Sequence, residues 1–332
     1  MKQYRYAMGL PLTAVLVSAC VAEGDMAMED TGETAQTLST ADWSSASTVG
    51  SDIQCAQYLG AMAELDGVTY MVHSGCSTDH LWWTKNSGGG WTNDQEISGQ
   101  NAYMTVSLAT YNGYIYMLHS GRSDTRTNVW MSRFDPSSET WTSNTQLSYS
   151  SNETPAIAEY NSRLYIVGID PSDNKLWMAT MNSSETFSAS SRVSGQYSNS
   201  RVSLANFGGR LYVAHRDHSG STIKYNSYDG SSWRGDATIP AGTSGASIQG
   251  YAPSIATHGS YLHLVHKRTS GSSVYWTYFD GSSWASEVTI PSTTSSSHPS
   301  LAEGGGGLVL LTNIYYGTTY GYTLYVREYD GP

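Results

Sequence analysis

Cysteine, phenylalanine and charged side chains are scarce in this chain. The 332 residues include 3 Cys and 4 Phe, and charged residues make up 14%. The 17 basic residues are dispersed and are outnumbered by 28 acidic ones, giving a formal net charge of −11. This balance excludes an extended nucleic-acid-binding surface, which requires clustered Lys and Arg. Beyond the N-terminal segment, no apolar stretch approaches the length of a membrane-spanning helix.

Polarity comes instead from Tyr, Ser, Thr, Asn and Gly, which separate short alternating segments. The stretch 254–290 holds four apolar runs divided by turn residues, such as Asp280-Gly281 before Trp284. Strand-sized runs rich in Val, Ile, Tyr and Trp, bounded by Gly, Asp and Ser, are typical of a four-stranded antiparallel meander. One such sheet cannot bury both of its faces, so it requires copies of itself.

The sequence contains these copies. An alanine in the first run recurs at intervals of 46, 49, 47, 51 and 46 residues. The fourth run opens with an aromatic residue and has an aliphatic residue six positions later, as in Trp91 and Ile97. A four-strand unit of this period predicts β-propeller blades rather than a solenoid. The six alanines are Ala63, Ala109, Ala158, Ala205, Ala256 and Ala302.

The sixth unit reaches Asp330-Gly331-Pro332 without a fourth run. The segment from Trp43 to Val49 has the missing aromatic-to-aliphatic spacing and precedes the first unit. We therefore predict an all-β, six-bladed β-propeller of four-stranded antiparallel blades. An N-terminal strand that pairs into the last blade should close the ring and remove its open edge.

The N-terminus has the features of an export signal. Lys2 and Arg5 precede an apolar run that ends in Val17-Ser18-Ala19-Cys20, which resembles a bacterial lipoprotein signal with Cys20 as the lipidated residue. The alternative is an ordinary secretory signal that contains a cysteine near its cleavage site. We predict a signal peptide over 1–19, an acidic flexible tether over 20–41 and the propeller over 42–332. The expected location is the cell envelope or outer surface, or otherwise the secreted fraction.

Two further cysteines, Cys55 and Cys76, fall in or near blade one. They flank its first two strands, in loops that share one face of a propeller. Because export implies an oxidising compartment, we predict a Cys55–Cys76 disulfide.

Four of the six second runs end in a histidine. The end of a second strand lies on the usual ligand face of a propeller, so these histidines are candidate ligand-binding residues. The alternative is that each one ties its loop to neighbouring structure, and recurrence in four units favours that role. The histidines are His73, His119, His215 and His266, and Gly168 and Thr312 take their place in the other two units.

Arginines and tyrosines near the same face are the other candidates for ligand binding. Arg122, Arg216 and Arg268 follow the histidines and are expected at comparable places in three blades. Arginine offers paired donors to vicinal hydroxyls or to a carboxylate, which suits shallow sugar sites. Stacking surfaces would come from tyrosines in the preceding blade connections, namely Tyr103, Tyr197 and Tyr251.

Signatures of catalysis are missing. The sequence has no Gly-x-Ser-x-Gly elbow, and its recurring histidines are about one repeat apart, unlike the closely spaced ligands of zinc. A glycosidase needs two facing carboxylates, but no acidic residue recurs at the expected inner strand ends. We therefore expect no cofactor and no metal, and the sequence leans against an enzyme. Acidic residues do occur in suitable loops: Asp124, Glu153, Asp170, Asp173 and Asp217.

Two families resemble parts of this pattern. The hairpin Ser227-Tyr-Asp229-Gly230-Ser-Ser-Trp233 resembles the sialidase Asp-box, although it is one residue shorter. The six repeats, with their Asp-Gly hairpins and Tyr-rich surface, resemble the six-bladed fucose-lectin type of propeller. That resemblance implies the fold and sugar binding between blades through an Arg-Glu-Trp set. Since no such set recurs here, fucose specificity is not carried over.

These observations favour an exported, surface-anchored carbohydrate-binding propeller. Its expected partners are glycans or glycoconjugates, with no nucleic acid and with membrane contact only through the lipid anchor. The expected state is a monomer. The alternatives are a glycan-active hydrolase or lyase on the same ring, and a protein-interaction scaffold of the envelope.

Overall fold

A computed structural model describes residues 38–50, 59–75, 78–218, 222–240, 251–268, 271–316 and 322–331. They belong to a unit that spans Leu38–Pro332. Cys20, Cys55, Cys76 and the proposed signal peptide lie outside the described residues, so the lipidation and the disulfide stay predictions. Within the described ranges, no helix is long and apolar enough to cross a membrane.

Short strands build the described part of the chain, because each β-branched or aromatic run is cut by a turn of Gly, Asn, Asp or Ser. A 3-10 turn, Thr40–Asp42, and the strand β1 (Ser47–Thr48) come first. Blade one contains β2 (Ala61–Leu65), β3 (Val68–Ser74), β4 (His80–Asn86) and β5 (Gln95–Asn101). Blade two contains β6 (Val106–Tyr111), β7 (Tyr114–Ser120), β8 (Asn128–Asp135), β9 (Thr140–Trp141) and β10 (Thr145–Ser150).

The next two blades repeat the same antiparallel order. Blade three contains β11 (Ala156–Tyr160), β12 (Arg163–Ile169), β13 (Lys175–Met181) and β14 (Ser191–Tyr197). Blade four contains β15 (Ser203–Phe207), β16 (Arg210–Arg216), β17 (Ile223–Tyr228) and β18 (Ala237–Thr238).

The last two blades complete the predicted set of six. Blade five contains β19 (Ser254–His258), β20 (Tyr261–Lys267), β21 (Ser273–Phe279) and β22 (Val288–Thr294). Blade six contains β23 (Ser300–Gly304), β24 (Gly307–Tyr315) and β25 (Tyr322–Tyr329), and β1 is its fourth strand.

The first strands of the blades surround a central axis. Each contacts the first strands of both neighbours, so β2, β6, β11, β15, β19 and β23 form a closed circle. The recurring alanines lie on these strands, where a small side chain permits close approach. Serine hydroxyls link neighbouring first strands: the backbone N–H of Ile255 donates to Ser203 Oγ (3.0 Å), and that of Leu301 donates to Ser254 Oγ (2.9 Å).

Apolar side chains fill the space between adjacent blades. Each of the six blade pairs shares one buried cluster, as the requirement to cover both sheet faces predicts. Between blades one and two, Trp83 packs on Phe134 with ring centroids 4.8 Å apart. Many of the repeated aromatic residues are therefore buried between blades, where they pack against their neighbours.

The N-terminal segment closes the ring as predicted. Ser47 pairs with Val326 in the antiparallel ladder between β1 and β25, and Trp43 bridges Tyr329. The Trp43 ring is 6% exposed and meets Trp276 of blade five edge to face at 5.8 Å. Val49 enters the cluster between blades six and one, so the segment joins two blade interfaces.

Leu38, the first described residue, is buried in the cluster between blades five and six. The Ser39 hydroxyl caps the 3-10 turn, and the Ser39 backbone N–H donates to Asp42 Oδ2 (3.1 Å). This reciprocal pair fixes the approach of the chain to Trp43.

Removal of residues 1–50 should open the ring, because it deletes Trp43, β1 and Val49 together. The free edge of β25 and the cluster between blades five and six would then face water, and we expect aggregation or loss of the cooperative thermal transition. The matched control, removal of residues 1–37, retains Leu38 and should melt normally. The variant Trp43→Ala should lower the free energy of unfolding by about 3–5 kcal/mol. A normal melt of the 51–332 protein would contradict the closure argument.

Candidate functional site

The four recurring histidines lie inside their blades. Their relative exposure is 0–2%, so the described structure offers no ligand a route to the rings. Each ring reaches from the end of the second strand to a polar side chain that precedes the fourth strand. The Nε2 distances are 3.1 Å from His73 to Asp94 Oδ2, 3.0 Å from His119 to Asn144 Oδ1 and 3.2 Å from His215 to Asp236 Oδ1, and His266 bonds Glu287.

These partners were missed in the sequence, although a signal for them exists. Each lies three residues after the aromatic residue that opens the fourth run, as Asp94 follows Trp91. In blade three, which has Gly168 instead of histidine, the equivalent position is Ser190. In blade six, which has Thr312, it is Ala46. The histidine and its partner are therefore gained or lost together within one chain, which is the pattern of a structural link.

Burial lowers the pKa of His119, because the charged imidazolium would lose its hydration. The neutral ring carries a single N–H group. Its Nδ1 atom lies 2.8 Å from the carbonyl oxygen of Ser120. This contact fixes the ring in the plane that meets Asn144.

The three candidate arginines occupy different environments, which corrects the expectation of comparable places. Arg122 is exposed in the loop after β7. Arg216 is half-buried and donates to Asn199 Oδ1 in the connection from blade three. Arg268 bonds Glu287 and lies 4.0 Å from the centroid of the Tyr275 ring. The physical reason is alternation: the three residues follow their histidines by three, one and two positions, so their side chains leave the chain in different directions.

The candidate tyrosines also differ from one another. Tyr197 is 40% exposed, and Lys175 Nζ lies 5.8 Å from its ring centroid. Tyr251 is half-buried, with Lys267 Nζ 4.1 Å from its ring centroid. Tyr103 is half-buried, and its backbone N–H donates to the carbonyl oxygen of Gly121 (3.2 Å). The three rings are therefore not gathered at one site: Tyr197 ends β14, and Tyr103 and Tyr251 lie in two different blade connections.

A different arginine lies near the axis. Arg201 precedes β15 and lines a cavity of about 80 Å³ at the start of the first strands, together with Ser107, Ser203, Ser254 and Ser300. We call this place the axial mouth. Arg201 is half-buried, and no hydrogen bond or ion pair to another described residue involves its guanidinium. A guanidinium has five N–H donors, and one without an acceptor in the described part of the chain can offer them to an anion.

Other charged residues act on the axial mouth electrostatically. Burial raises the pKa of the Glu153 carboxyl. The positive charges of Arg201, Arg126 and Arg216 oppose that shift. Burial also lowers the pKa of the guanidinium of Arg201 and that of Arg216. Three cations near one carboxylate leave a positive field on a chain whose formal charge is −11.

Sequence reasoning found Glu153 and Arg216 as loop residues but missed Arg126 and Arg201. Arg126 lies in the loop before β8, Glu153 and Arg201 lie in blade connections, and Arg216 is the last residue of β16. No spacing rule joins them, because the circular arrangement of the first strands is what brings their elements to one end of the axis.

The opposite end of the axis has the opposite charge. Glu64, Glu159 and Glu303 line a cavity of about 290 Å³ at the ends of the first strands. Burial, with a contribution from the charge of Glu64, raises the pKa of Glu303. Across the described residues, no group of three or more His, Cys, Asp or Glu side chains is arranged to hold a metal ion.

The Asp-Gly hairpins lie at the turns from third to fourth strands, at the far ends of those strands from the blade connections. Asp229 accepts backbone N–H bonds from Ser231 (2.9 Å) and Ser232 (2.8 Å), which lowers its pKa. The same bonds from Ser282 and Ser283 lower the pKa of Asp280 to about 2. These aspartates are turn-forming residues.

The variant His215→Ala should destabilise the ring without altering the axial mouth. It leaves Asp236 without its imidazole partner, and we expect a loss of about 1–3 kcal/mol in the free energy of unfolding. The double variant with Asp236→Ala should lose less than the sum of the two single variants, since the second change removes an already unpaired group. Chemical denaturation of the four proteins measures this coupling. Strict additivity would show that the link does not hold the blade.

Comparisons with known proteins place the fold but no family. No family model and no curated protein matches the sequence. Among solved structures, a Dyadobacter fermentans protein of unknown function has a TM-score of 0.63 and 11% identity, over 86% of this chain and 98% of its own. The structure of YjhT gives 0.59 and 12%, over 84% and 96%.

A sialidase of Trypanosoma rangeli is also similar, with a TM-score of 0.61 and 12% identity. The match covers 84% of this chain but 55% of the sialidase chain, so this chain spans little more than half of that enzyme. Identities this low establish a shared propeller fold and no shared activity.

Proposed function

We propose that this propeller is a glycan-binding protein whose axial mouth receives a carboxylate group of an acidic glycan. The observation that carries the proposal is Arg201, a half-buried guanidinium that lines the axial cavity and has no hydrogen-bond acceptor among the residues that the structure describes. Arginine matches a carboxylate through two parallel N–H···O bonds, and partial burial strengthens them.

The size of the cavity limits what enters it. A volume of about 80 Å³ admits a carboxylate with a water, since a water occupies about 30 Å³ of liquid. A whole sugar ring must therefore remain outside, over the blade connections. Arg126 and Arg216 contribute positive charge there, which attracts the anion before contact. Glu153 opposes the charge of a bound carboxylate and so sets the affinity.

A glycan-active hydrolase is the second candidate, and one observation favours it. Burial raises the pKa of Glu153, which is the direction in which the pKa of a general acid is shifted. Glycosidases, however, use two carboxyl groups, and the residues that line the axial cavity include no Asp or Glu. Glycan binding without hydrolysis is therefore the better supported hypothesis.

The variant Arg201→Gln should weaken binding of methyl glycosides of sialic acid and glucuronic acid by about tenfold to a hundredfold, since it removes a charge-assisted pair of bonds. Isothermal titration calorimetry measures the loss. The control Arg163→Gln changes an exposed arginine at the start of β12 and should bind like the parent protein. If the Arg201→Gln protein bound the glycosides as tightly as the parent protein, the axial mouth would not be the binding site. Hydrolysis of the glycosides by the parent protein would favour the hydrolase.

The affinity for a carboxylate ligand should depend on pH because of Glu153. Because its pKa is raised, this carboxyl takes up a proton at a higher pH than an ordinary glutamate, and the mouth then loses its negative charge. Affinity for a carboxylate ligand should rise as the pH falls through that pKa, until the ligand itself is protonated. The variant Glu153→Gln should show the higher affinity at neutral pH and no such rise.

We also propose that the protein is exported and anchored through Cys20, which would place the axial mouth outside the cytoplasm, where glycans are exposed. The change Cys20→Ser should move the protein from the membrane fraction to the soluble fraction, because a cysteine-linked lipid would supply the anchor. Immunoblotting of fractions tests this, with circular dichroism as the control for folding. Unchanged fractionation would favour the secretory alternative.

A further inference from the structure

The hairpin of β24 and β25 extends further than the equivalent hairpins of the other blades. In blades one to five, the second and third strands form six residue pairs each, whereas β24 and β25 form eight. The two additional pairs are Ile314–Thr323 and Tyr315–Tyr322, at the end of the second strand. At about 3.3 Å per residue, they carry the hairpin about 7 Å further on the face of the blade connections.

Tyrosine side chains cover this extension. Tyr315 is 46% exposed and Tyr316 is 50% exposed, the two highest values among the large hydrophobic side chains of the described residues. The ring centroids of Tyr315 and Tyr322 are 4.8 Å apart, and the hydroxyls of Tyr316 and Tyr325 are 2.8 Å apart. Because Tyr322 and Tyr325 are three residues apart on one strand, their side chains leave opposite faces. We call these four residues the tyrosine hairpin.

The connection from blade five holds the base of the hairpin. The Asn313 side chain is fully buried, and its Oδ1 accepts bonds from the backbone N–H (3.0 Å) and the hydroxyl (2.8 Å) of Ser297. The backbone N–H of Tyr315 donates to Ser296 Oγ (2.9 Å). The exposed rings therefore start from a fixed backbone, which lowers the entropic cost of binding a ligand on them.

The chemistry of the hairpin narrows the class of ligand. No charged residue occurs from Asn313 to Val326, so an ionic ligand would find no counter-charge here. Aromatic rings offer apolar contact area to C–H groups. In the Tyr316–Tyr325 pair only one hydroxyl acts as donor, so one O–H remains for a ligand. A purely apolar partner would leave that group unpaired on burial. An uncharged molecule with both C–H faces and hydroxyls meets all of these conditions.

We propose that the tyrosine hairpin binds an uncharged polysaccharide chain. Sugar rings would lie with their C–H faces against Tyr315 and Tyr316, and their hydroxyls would bond to the tyrosine hydroxyls. The rings form an open surface instead of an enclosed pocket, so they suit the interior of a chain. Each contact is weak alone, and the affinity rises with the number of sugar units bound together. The site requires no charge and does not depend on the acidic-glycan site at the axial mouth.

A double variant and a matched control test the site. The double variant Tyr315→Thr/Tyr316→Thr removes the two most exposed rings, and threonine preserves the preference for a strand. The control Tyr114→Thr removes a half-buried tyrosine at the start of β7, which is the opposite end of a second strand. Thermal melts followed by circular dichroism should show both variant proteins folded.

Isothermal titration calorimetry on the full chain would use cellohexaose, mannohexaose, xylohexaose and laminarihexaose, together with the corresponding monosaccharides. We expect the parent protein to bind at least one hexasaccharide about tenfold or more tightly than its monosaccharide. The double variant should lose about tenfold or more of that affinity, because it removes the main stacking contacts. Tyr114→Thr should bind like the parent protein, and Arg201→Gln should also, which separates this site from the axial mouth.

A polyproline peptide is the comparison ligand, because exposed aromatic rings also bind such peptides. Binding of this peptide with no binding of any hexasaccharide would overturn the proposal and assign the hairpin to a peptide partner. The proposal would also be wrong if the parent protein bound none of the hexasaccharides, or if the folded double variant bound them as tightly as the parent protein.

Discussion

Ring closure is the constraint on which the rest of the structure depends. Each blade buries its two faces against its two neighbours. A ring with one open interface would therefore expose two apolar faces and a strand edge. Trp43 and Val49 close this gap from both sides of blade six, because one packs toward blade five and the other toward blade one. Two residues of ladder, Ser47 and Thr48, are enough to hold the last blade because the aromatic contacts of Trp43 add to them.

The closed ring also determines where charge accumulates. All first strands run in the same direction along the axis, so their starts meet at one end and their ends at the other. Arg201 stands at the first end, and Glu64, Glu159 and Glu303 stand at the second. A polarised axis results from single residues in separate repeats, none of which belongs to a recurring motif. Function on this scaffold therefore resides in departures from the repeat.

The hydrogen bond between a buried histidine and its polar partner shows that departures from the repeat also change the structure of a blade. Where the histidine and its polar partner are present, they fill the interior of a blade and tie the second strand to the fourth. Where Gly168 and Ser190 replace them, Trp177 moves into the space and a groove opens beside it. One glycine thus converts a structural position into a recess, because only a residue without a Cβ tolerates the indole at that distance.

The number of blades, their four strands and the closing segment could be predicted from the sequence alone, because they follow from the period of the apolar runs and the spacing of Trp43 and Val49. A comparison of the repeats would also have identified the polar partners of the histidines, because each lies three residues after the aromatic residue that opens the fourth run. Which polar residues act together could not be predicted in this way, because it depends on how the blades are arranged around the axis. Arg122, Arg216 and Arg268 diverge because a shift of one residue along a strand reverses the direction of a side chain. Arg201 and Glu153 interact electrostatically because a circle of strands brings distant parts of the chain together, and no local pattern records that closure.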